Sequence, residues 1–462
     1  MGLFDRLRGD DDPRVAVIGI DGVPFSLLSD HESEFPELTA LRKEGAGGAI
    51  DSIVPPESSA CWPALTTGRN PGETGVYGFQ DREIDSYDTY VPTGQDVQAQ
   101  RLWDRVTAAE RHASVFNVPV TFPPQRNVQR MVSGFLSPGI EKAAHPDELR
   151  RTLEEAGYLI DVNAKLGHKA DKTEFVEHAN KTIDRRFEAF NEYITRDDWD
   201  LFFGVFMTTD RINHFLFGDY ERHGLIDDGE ATGRNGQSVE NARAFTAFYR
   251  KLDRYVGEIR SMLPDDVTLV VVSDHGFTTL EYEVNCNVWL EENGWLSYEG
   301  DDHEELGDIA DDTKAYSLIP GRFYINLEGR EPRGSVPEDE YESVRNELKT
   351  ALLELEGPDG RPVCDRVVES ESAFRGDHVE IAPDLVAIPN SGFDLKAGFR
   401  PKDGVFTTGP RNGMHSFEDA SLFIDDPDAS IVDADILDVA PTVMDLMELD
   451  YGRTEFDGAS LV

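Results

Sequence analysis

The 462-residue sequence contains little cysteine and no long apolar segment. Its three cysteines, Cys61, Cys286 and Cys364, are odd in number and far apart, which argues against a disulfide framework or a paired-cysteine metal site. No apolar run reaches the ~18 residues of a membrane span, and no basic stretch leads into an apolar signal sequence. From these absences we expect a cytoplasmic protein without a membrane partner.

Basic residues are also scarce. Lysine and arginine number 44 against 90 aspartates and glutamates, so the net charge at pH 7 is −46. Nucleic acids bind basic surfaces, and no basic patch interrupts the acidic sequence, so we expect no nucleic-acid partner. An acidic excess of this size is typical of proteins that work in high salt, where self-repulsion is screened. We therefore interpret the sequence as halophilic; the alternative is an ordinary acidic mesophilic enzyme.

The most apolar segments alternate with helical patterns. Residues 14–20, 201–209 and 267–273 are continuous apolar runs, which predict buried strands of a parallel sheet. Amphipathic segments at 171–194 and 239–262 predict helices between these strands. Such alternation indicates an α/β fold with a mostly parallel central sheet flanked by helices.

An aspartate follows each of the three apolar segments, namely Asp21, Asp210 and Asp274. In open α/β sheets, ligands collect outside the carboxyl ends of the strands, so we expect these side chains to converge. Three carboxylates in one cleft repel one another unless a cation lies between them. The alternative for each residue alone is a turn or a helix cap, but their shared position favours a cation site.

Histidines accompany these acids. His214 follows Asp210 by four residues, the spacing that places two ligands on one face of a helix. His275 directly follows Asp274, and His415 lies in a glycine-containing loop before another apolar segment. A mixed set of carboxylates and imidazoles suits zinc, manganese or iron better than magnesium or calcium. The sequence therefore predicts a transition-metal centre.

The segment at 55–72, PPESSACWPALTTGRNPG, offers several nucleophiles: Ser58, Ser59, Cys61 and two threonines. Together with GIDGVPFSLL, DRINHF, VVVSDHGF and GMHSF, it resembles the alkaline phosphatase superfamily in the order and spacing of its motifs. The resemblance is strongest to the type I phosphodiesterase and nucleotide pyrophosphatase branch, which is widespread in archaea. It extends from about residue 13 to the end of the chain and implies one α/β domain that hydrolyses phosphate esters.

The resemblance implies roles for individual residues. Two divalent ions, zinc by preference or manganese, would each take three ligands. These ligands are Asp21, Asp274 and His275 for one ion, and Asp210, His214 and His415 for the other. Ser58 would be the nucleophile and would also coordinate metal, because its hydroxyl lies ten residues before Gly68 in the TG signature. Ser59 is the rival that spacing alone does not dismiss. The implied reaction proceeds through a phosphoserine.

The sequence departs from the branch around the nucleophile. The branch usually has threonine there, proline two residues later and asparagine three residues later; this chain has Ser58, Ala60 and Cys61. The donor to the phosphate oxygens is therefore unidentified. Sulfatases need proline and arginine where this chain has Ala60 and Trp62, which argues against a formylglycine enzyme. Alternatives within the superfamily are a phosphomonoesterase, a phosphomutase or a sulfate or phosphonate hydrolase; the non-enzymatic alternative is a phosphate-ester-binding pseudoenzyme.

Regions outside the motifs are expected to select the substrate. Within a single domain that begins at residue 13, the segments 80–198 and 286–400 are predicted to be insertions that cap the metal cleft. Residues 1–12 are predicted to be a flexible N-terminal segment. Arg411 and Arg322 are candidates for binding a charged group of a small phosphate ester, with a structural salt bridge as the alternative for each.

Overall fold

The structure is a computed structural model that describes residues 12–84, 86–196, 198–226, 236–300, 305–399, 404–452 and 454–462. Apart from residue 12, the predicted flexible N-terminal segment lies outside the described residues. None of the helices in these ranges is long and apolar enough to cross a lipid bilayer.

Strands and helices alternate through the described residues. The strands are β1 (Arg14–Ile20), β2 (Ala46–Ile50), β3 (Asp81–Arg82), β4 (Thr89–Tyr90), β5 (Ala113–Val118), β6 (Arg130–Ser133), β7 (Ala144–His145), β8 (Leu201–Phe206), β9 (Val267–Val272), β10 (Gly276–Asn285), β11 (Ala315–Leu318), β12 (Arg322–Ile325), β13 (Cys364–Glu369), β14 (Leu385–Pro389), β15 (Gly392–Lys396), β16 (Phe406–Thr407), β17 (Gly413–Ser416) and β18 (Ala420–Ile424). The α-helices are α1 (Phe25–Ser29), α2 (Pro36–Glu44), α3 (Ser58–Thr67), α4 (Pro71–Thr74), α5 (Leu102–Ala108), α6 (Ile140–Ala143), α7 (Asp147–Ala156), α8 (Thr173–Ile194), α9 (Thr208–His223), α10 (Gln237–Met262), α11 (Cys286–Glu292), α12 (Tyr341–Leu353), α13 (Ser370–Ala373) and α14 (Val439–Leu446). Short 3₁₀ helices span Ala164–His168, Leu306–Asp308, Glu338–Glu340, Val379–Ile381 and Ile436–Asp438.

A large central sheet organises the molecule, in the strand order β2-β18-β9-β1-β8-β5-β6-β7. The five inner strands from β9 to β6 pair in parallel. The edge strands β2 and β7, together with β18 beside β2, pair antiparallel with their neighbours. This mostly parallel sheet, flanked by helices, confirms the predicted fold class.

Strand β1 shows why the inner strands are apolar throughout. Ala16, Ile18 and Ile20 belong to a core formed with α2, α8, α9 and α10. Val15 and Val17 point to the opposite core, formed with α3, α5 and α14. Successive side chains of a strand face opposite sides of a sheet, so a sheet covered on both faces needs apolar residues at every position.

The two predicted insertions differ in the structure. Residues 80–198 do not form a separate cap, because they contribute β5, β6 and β7 to the central sheet, and α8 packs against that sheet. This region joins the central sheet because residues 113–118 form a fully buried strand that pairs in parallel with β8. Residues 286–400 contain a second, four-stranded sheet, β11-β12-β14-β13, with its own apolar core.

We expect salt to stabilise this fold, because the net charge leaves 46 carboxylates without a basic counterpart. Raising KCl from about 0.1 M to about 1 M shortens the screening length from about 10 Å to about 3 Å and weakens their mutual repulsion. The thermal unfolding midpoint, followed by circular dichroism, should rise by several degrees. A parallel series in sucrose controls for general solute exclusion. A midpoint that stays constant or falls in KCl would contradict this expectation.

Candidate active site

The carboxyl ends of three neighbouring strands position the acidic residues. β9, β1 and β8 are adjacent, and Gly19 pairs with Val272 while Ile20 pairs with Phe206, so the strands end at the same level. Asp21 follows β1, and Asp274 follows β9 two residues after its end. Both side chains are fully buried.

The third acid, Asp210, lies on a helix rather than directly at a strand end. β8 ends at Phe206, three residues earlier than predicted, and α9 begins at Thr208. The hydroxyl of Thr209 lies 2.6 Å from the Asp21 carbonyl oxygen and 2.7 Å from that of Phe206, which fixes the start of the helix against β1. Asp210 therefore lies in the first turn, with His214 one turn later on the same face.

Two groups of metal-type ligands adjoin each other. In one group, the donor atoms of Asp21, Asp274 and His275 lie within 4.8 Å of one another. His275 Nε2 is 3.6 Å from Asp21 Oδ1 and 3.5 Å from Asp274 Oδ2. The structure therefore brings together the three residues that the resemblance assigns to one ion.

The other group contains Asp210, His214 and His415. His415 Nε2 is 3.2 Å from both Asp210 Oδ1 and His214 Nε2, and His214 Nε2 is 3.3 Å from Asp210 Oδ1. His275 joins the two groups, because its donor atom also lies within 4.8 Å of those of Asp210 and His415. All six predicted ligands thus converge on one place.

Each carboxylate has one oxygen held by a donor of the chain. Trp62 Nε1 donates to Asp21 Oδ2 at 2.6 Å, Arg211 Nη1 to Asp210 Oδ2 at 2.9 Å, and the Gly22 amide to Asp274 Oδ1 at 3.3 Å. The other oxygen of each residue contacts the histidines described above. Such partners behind a ligand fix its orientation and usually affect metal affinity strongly. Sequence reasoning missed Trp62 and Arg211 in these roles, because their contacts form only in the folded chain.

The histidines are oriented in the same way. The Nδ1 atoms of His214, His275 and His415 lie 3.1, 3.0 and 3.2 Å from the carbonyl oxygens of residues 413, 276 and 56. A carbonyl accepts a hydrogen bond only from a protonated Nδ1, so each Nε2 keeps its lone pair towards the cluster. This is the tautomer that a metal-binding imidazole needs.

Close packing places Trp62 against Asp21. A Cβ at position 19 would lie 2.4 Å from Trp62 Cη2, so glycine in β1 leaves the space that the indole occupies. Trp62 itself is fully buried and packs edge to face on Phe203 of β8.

Electrostatics of the cluster favour a bound cation. Burial and the neighbouring carboxylates raise the pKa of Asp21 and that of Asp274 well above their usual range. Burial lowers the pKa of His275 well below normal and lowers the pKa of His214 to about 3, so both rings are neutral at pH 7. Asp274 Oδ2 is buried and makes no hydrogen bond within the described part of the chain. An orphaned carboxylate oxygen among neutral imidazoles fits a divalent metal ion.

Asp210 differs from the other two acids. Burial alone would raise the pKa of Asp210, but the charge of Arg211, which donates to its Oδ2, opposes that rise. Asp210 therefore carries its negative charge more readily than the other two acids.

The segment at 55–72 brings Ser58, and not Ser59, to this cluster. Ser58 Oγ lies 3.3 Å from Asp21 Oδ1 and 3.2 Å from His275 Nε2. The hydroxyl of Ser59 is buried and has no hydrogen-bond partner in the described ranges. Cys61 contacts Ser52, and burial together with the charge of Asp274 raises the pKa of its thiol well above normal. Of the three candidates, Ser58 alone has contacts with the ligand groups.

Local sequence explains how Ser58 is presented. It is the first residue of α3, after two prolines and the N-cap residue Glu57, whose side chain accepts a hydrogen bond from the Ser59 amide at 3.2 Å. α3 ends at Thr67, and the C-cap residue Gly68 adopts a left-handed conformation with φ of 64°. The Ser58 hydroxyl thus lies at the positive end of a ten-residue helix, where negative charge is stabilised.

A cavity of about 190 Å³ opens beside the cluster. Ser58, Asp210, His214 and His415 form its polar floor. Its apolar wall consists of Pro55, Pro56, Phe79, Phe135, Met207, Ile319, Pro320, Ala387, Pro389, Leu395 and Met414. Its remaining charged lining residues are Glu57, Arg211, Asp394, Lys396 and Arg411. A largely apolar cavity with a few convergent polar groups is the usual form of a small-molecule site.

The two predicted substrate-binding arginines differ in position. Arg411 lines the cavity, but it also pairs with Glu283 and, at 2.5 Å, with Asp394, which are register neighbours on β10 and β15. Arg322 is fully buried and donates to Asp81 Oδ1 at 2.5 Å. It does not line the cavity, because its guanidinium is enclosed between Asp81 and backbone carbonyls. Arg322 therefore forms a structural salt bridge, which is the alternative to substrate binding.

Comparisons with known proteins identify the family to which the chain belongs. A family model for type I phosphodiesterase / nucleotide pyrophosphatase matches residues 15–418. A search of curated proteins finds no significant match. A solved structure of phosphonoacetate hydrolase from Sinorhizobium meliloti 1021 is similar, with a TM-score of 0.61 at 15% identity, over 94% of this chain and 96% of that one.

Two structures of ectonucleotide pyrophosphatase / phosphodiesterase 5 are also similar. The murine protein gives a TM-score of 0.53 at 13% identity, over 95% of this chain and 96% of its own. The human protein gives 0.55 at 11% identity, over 96% of this chain and 97% of its own. At such low identity, the solved structures are evidence for the shared fold.

We expect Asp274→Asn to stabilise the metal-free protein, because it removes a buried charge whose oxygen has no partner. The free energy of unfolding in urea with chelator at pH 7 should rise by about 1–3 kcal/mol. Because the folded-state pKa of Asp274 lies above the unfolded one, this gain should be small below about pH 4 and should grow as the pH rises.

The exposed Asp445→Asn is the matched control for the loss of one negative charge, and it should change stability little. A metal-free Asp274→Asn protein that is less stable than wild type at pH 7 would show that the carboxylate is not under repulsion.

Proposed function

The chain belongs to the type I phosphodiesterase / nucleotide pyrophosphatase family and is a phosphoric ester hydrolase; from this premise, we propose that it cleaves phosphodiesters or nucleotide pyrophosphates through a phosphoserine at Ser58. The observation that carries the proposal is the position of the Ser58 hydroxyl, 3.3 Å from Asp21 and 3.2 Å from His275, at the junction of the two ligand groups. A small phosphate ester would occupy the adjoining cavity.

In this proposal, two divalent ions complete the site. Asp21, Asp274 and His275 would hold one, and the group of Asp210, His214 and His415 would hold the other. Carboxylate and imidazole donors suit zinc, with manganese as the alternative. When bound, such ions polarise a phosphoryl group and lower the pKa of a hydroxyl.

The chain's own residues position and stabilise the nucleophile. Asp21 Oδ1 and His275 Nε2 fix the Ser58 oxygen, and the amino-terminal end of α3 favours its alkoxide form. That oxygen would form a bond to phosphorus while the bond from phosphorus to the leaving oxygen breaks, and the leaving oxygen takes up a proton. A water molecule would then cleave the bond between phosphorus and the Ser58 oxygen, releasing a phosphomonoester and restoring the Ser58 hydroxyl. The apolar wall of the cavity limits access of bulk water.

The setting that we propose is a high-salt cytoplasm, as in halophilic archaea. Support comes from the net charge of −46, which is distributed along the sequence. The site itself differs from this acidic surface, because two divalent ions would more than balance the three buried aspartates and would attract an anionic substrate.

We expect chelation to abolish hydrolysis of bis-p-nitrophenyl phosphate in high salt, because the three carboxylates would then repel both one another and the substrate. Zinc or manganese should restore the rate, whereas magnesium or calcium should restore little. Release of p-nitrophenol measures the reaction. Full activity in protein that contains no metal by elemental analysis would contradict the two-metal proposal.

Ser58→Ala should lower kcat by about 10³-fold or more, because no other described residue places a hydroxyl against the side-chain donor atoms of the ligand groups. It should also eliminate a trapped phosphoenzyme in intact-protein mass spectrometry. Ser59→Ala is the matched control, since it removes a neighbouring buried hydroxyl that has no partner among the described residues, and its kcat should stay within about twofold. The opposite pattern in the two variants would assign the nucleophile to Ser59.

A substrate panel separates the proposed reaction from those of related enzymes. We expect kcat/KM to be highest for phosphodiesters and nucleotide pyrophosphates and lower for phosphomonoesters, sulfate esters and phosphonates. The rates can be compared at equal metal loading by product release. If kcat/KM is at least tenfold higher for monoesters, sulfates or phosphonates, the proposed substrate class is wrong and the preferred class takes its place.

A further inference from the structure

Arg211 lies in the cavity beside the ligand groups, and the reaction described above gives it no contact with the substrate. It directly follows Asp210 in the first turn of α9, and its side chain is 12% exposed. It lines the same cavity as Ser58.

The guanidinium of Arg211 is fixed on several sides. Its Nε and Nη2 donate to Asp161 Oδ2 at 3.1 and 2.8 Å, and its Nη1 donates to Asp210 Oδ2 at 2.9 Å. Its Cζ lies 4.5 Å from the ring centre of Phe135, which in turn stacks on Phe79 at 6.2 Å. A long side chain held in this way has little conformational freedom left to lose when it binds a ligand.

These contacts leave donors unused. A guanidinium has five N–H groups, and the hydrogen bonds to Asp161 and Asp210 use three of them. The remaining two, one on Nη1 and one on Nη2, have no acceptor among the described residues. Because Arg211 lines the cavity, an anion bound there is the available acceptor, and the two terminal nitrogens of arginine match two oxygens of a phosphate.

Two other cations, Lys396 and Arg411, line the cavity beside Arg211. Both pair with Asp394, which is not a member of either ligand group, whereas Arg211 directly follows Asp210 and contacts its carboxylate.

Cys61 is unsuited to the donor role that asparagine has in the related enzymes. It is fully buried, lies 3.3 Å from the Ser52 hydroxyl and does not line the cavity. A thiol is also a weak hydrogen-bond donor. The site therefore lacks a donor at this position, and Arg211 is a cavity-lining cation with free N–H groups.

We propose that Arg211 donates hydrogen bonds to the non-bridging oxygens of the substrate's phosphoryl group. This inference rests on the proposed function, because it requires a phosphate ester in the cavity. The guanidinium would hold the phosphoryl group beside Ser58 and stabilise the negative charge on its oxygens as the bond to Ser58 forms.

The test compares Arg211→Met and Arg211→Lys with a matched control, Arg130→Met. Arg130 also pairs with an aspartate, Asp198, and lies over a ring, that of Tyr193, with its side chain 11% exposed. It does not line the cavity. For each zinc-loaded protein, calorimetry measures the binding of inorganic phosphate, elemental analysis measures metal content, and p-nitrophenol release measures hydrolysis of bis-p-nitrophenyl phosphate.

With zinc in excess, Arg211→Met should reach the wild-type metal content but bind phosphate at least about tenfold more weakly, with kcat reduced about 10²-fold. Arg211→Lys should give a phosphate affinity and a kcat between those of Arg211→Met and wild type. Lysine keeps the positive charge but lacks the two terminal nitrogens with which arginine can contact two oxygens. Arg130→Met should stay within about twofold of wild type in all three measurements. If Arg211→Met does not fold, weaker phosphate binding by Arg211→Lys supports the inference and unchanged binding overturns it.

Two results would overturn the inference alone. One is unchanged phosphate affinity in both Arg211 variants of an active enzyme. The other is a loss of metal content that parallels the loss of activity, which would show that Arg211 acts only by holding Asp210. A wild-type protein that neither binds phosphate nor hydrolyses the ester would overturn the proposed function as well.

Discussion

The mutual repulsion of Asp21, Asp210 and Asp274 governs the arrangement of the site. These side chains are at most 1% exposed, and water cannot screen them. A donor of the chain holds one oxygen of each, so the other oxygens are turned towards one another and towards the histidines. Because His214 and His275 have lowered pKa values, they do not supply positive charge at pH 7. The proposed cations would supply the balancing charge, and metal binding would then contribute to the stability of the folded state.

The fold brings these charges together through a few neighbouring elements. Adjacent strands β9 and β1 end at the same level, and α9 begins where β8 ends. The amino-terminal end of α3 then adds Ser58, and β17 adds His415. No single element carries a complete ligand set, so the site exists only when the central sheet is formed. Part of the apolar cavity wall comes from the region at 286–400. The cavity therefore lies between the ligand groups and the second sheet, which has its own apolar core.

Local patterns made much of this predictable. Asp21 and Asp274 could be located because apolar runs define buried strands, and the spacing of Asp210 and His214 is a helical signal. The end of β8 was harder to predict, since the threonines at 208 and 209 suit a strand by propensity but start a helix in the fold. Trp62, Arg211 and the enclosure of Arg322 depend on contacts between distant segments. No sequence pattern of a single chain encodes such contacts.

Two cations that balance the buried carboxylates would be visible by anomalous X-ray diffraction. Crystals of the zinc-loaded protein, measured on both sides of the zinc absorption edge, should give two anomalous peaks. One peak should lie among Asp21, Asp274 and His275, and the other among Asp210, His214 and His415. A zinc-replete crystal with no peak at these residues, or with peaks only elsewhere, would contradict the two-metal proposal.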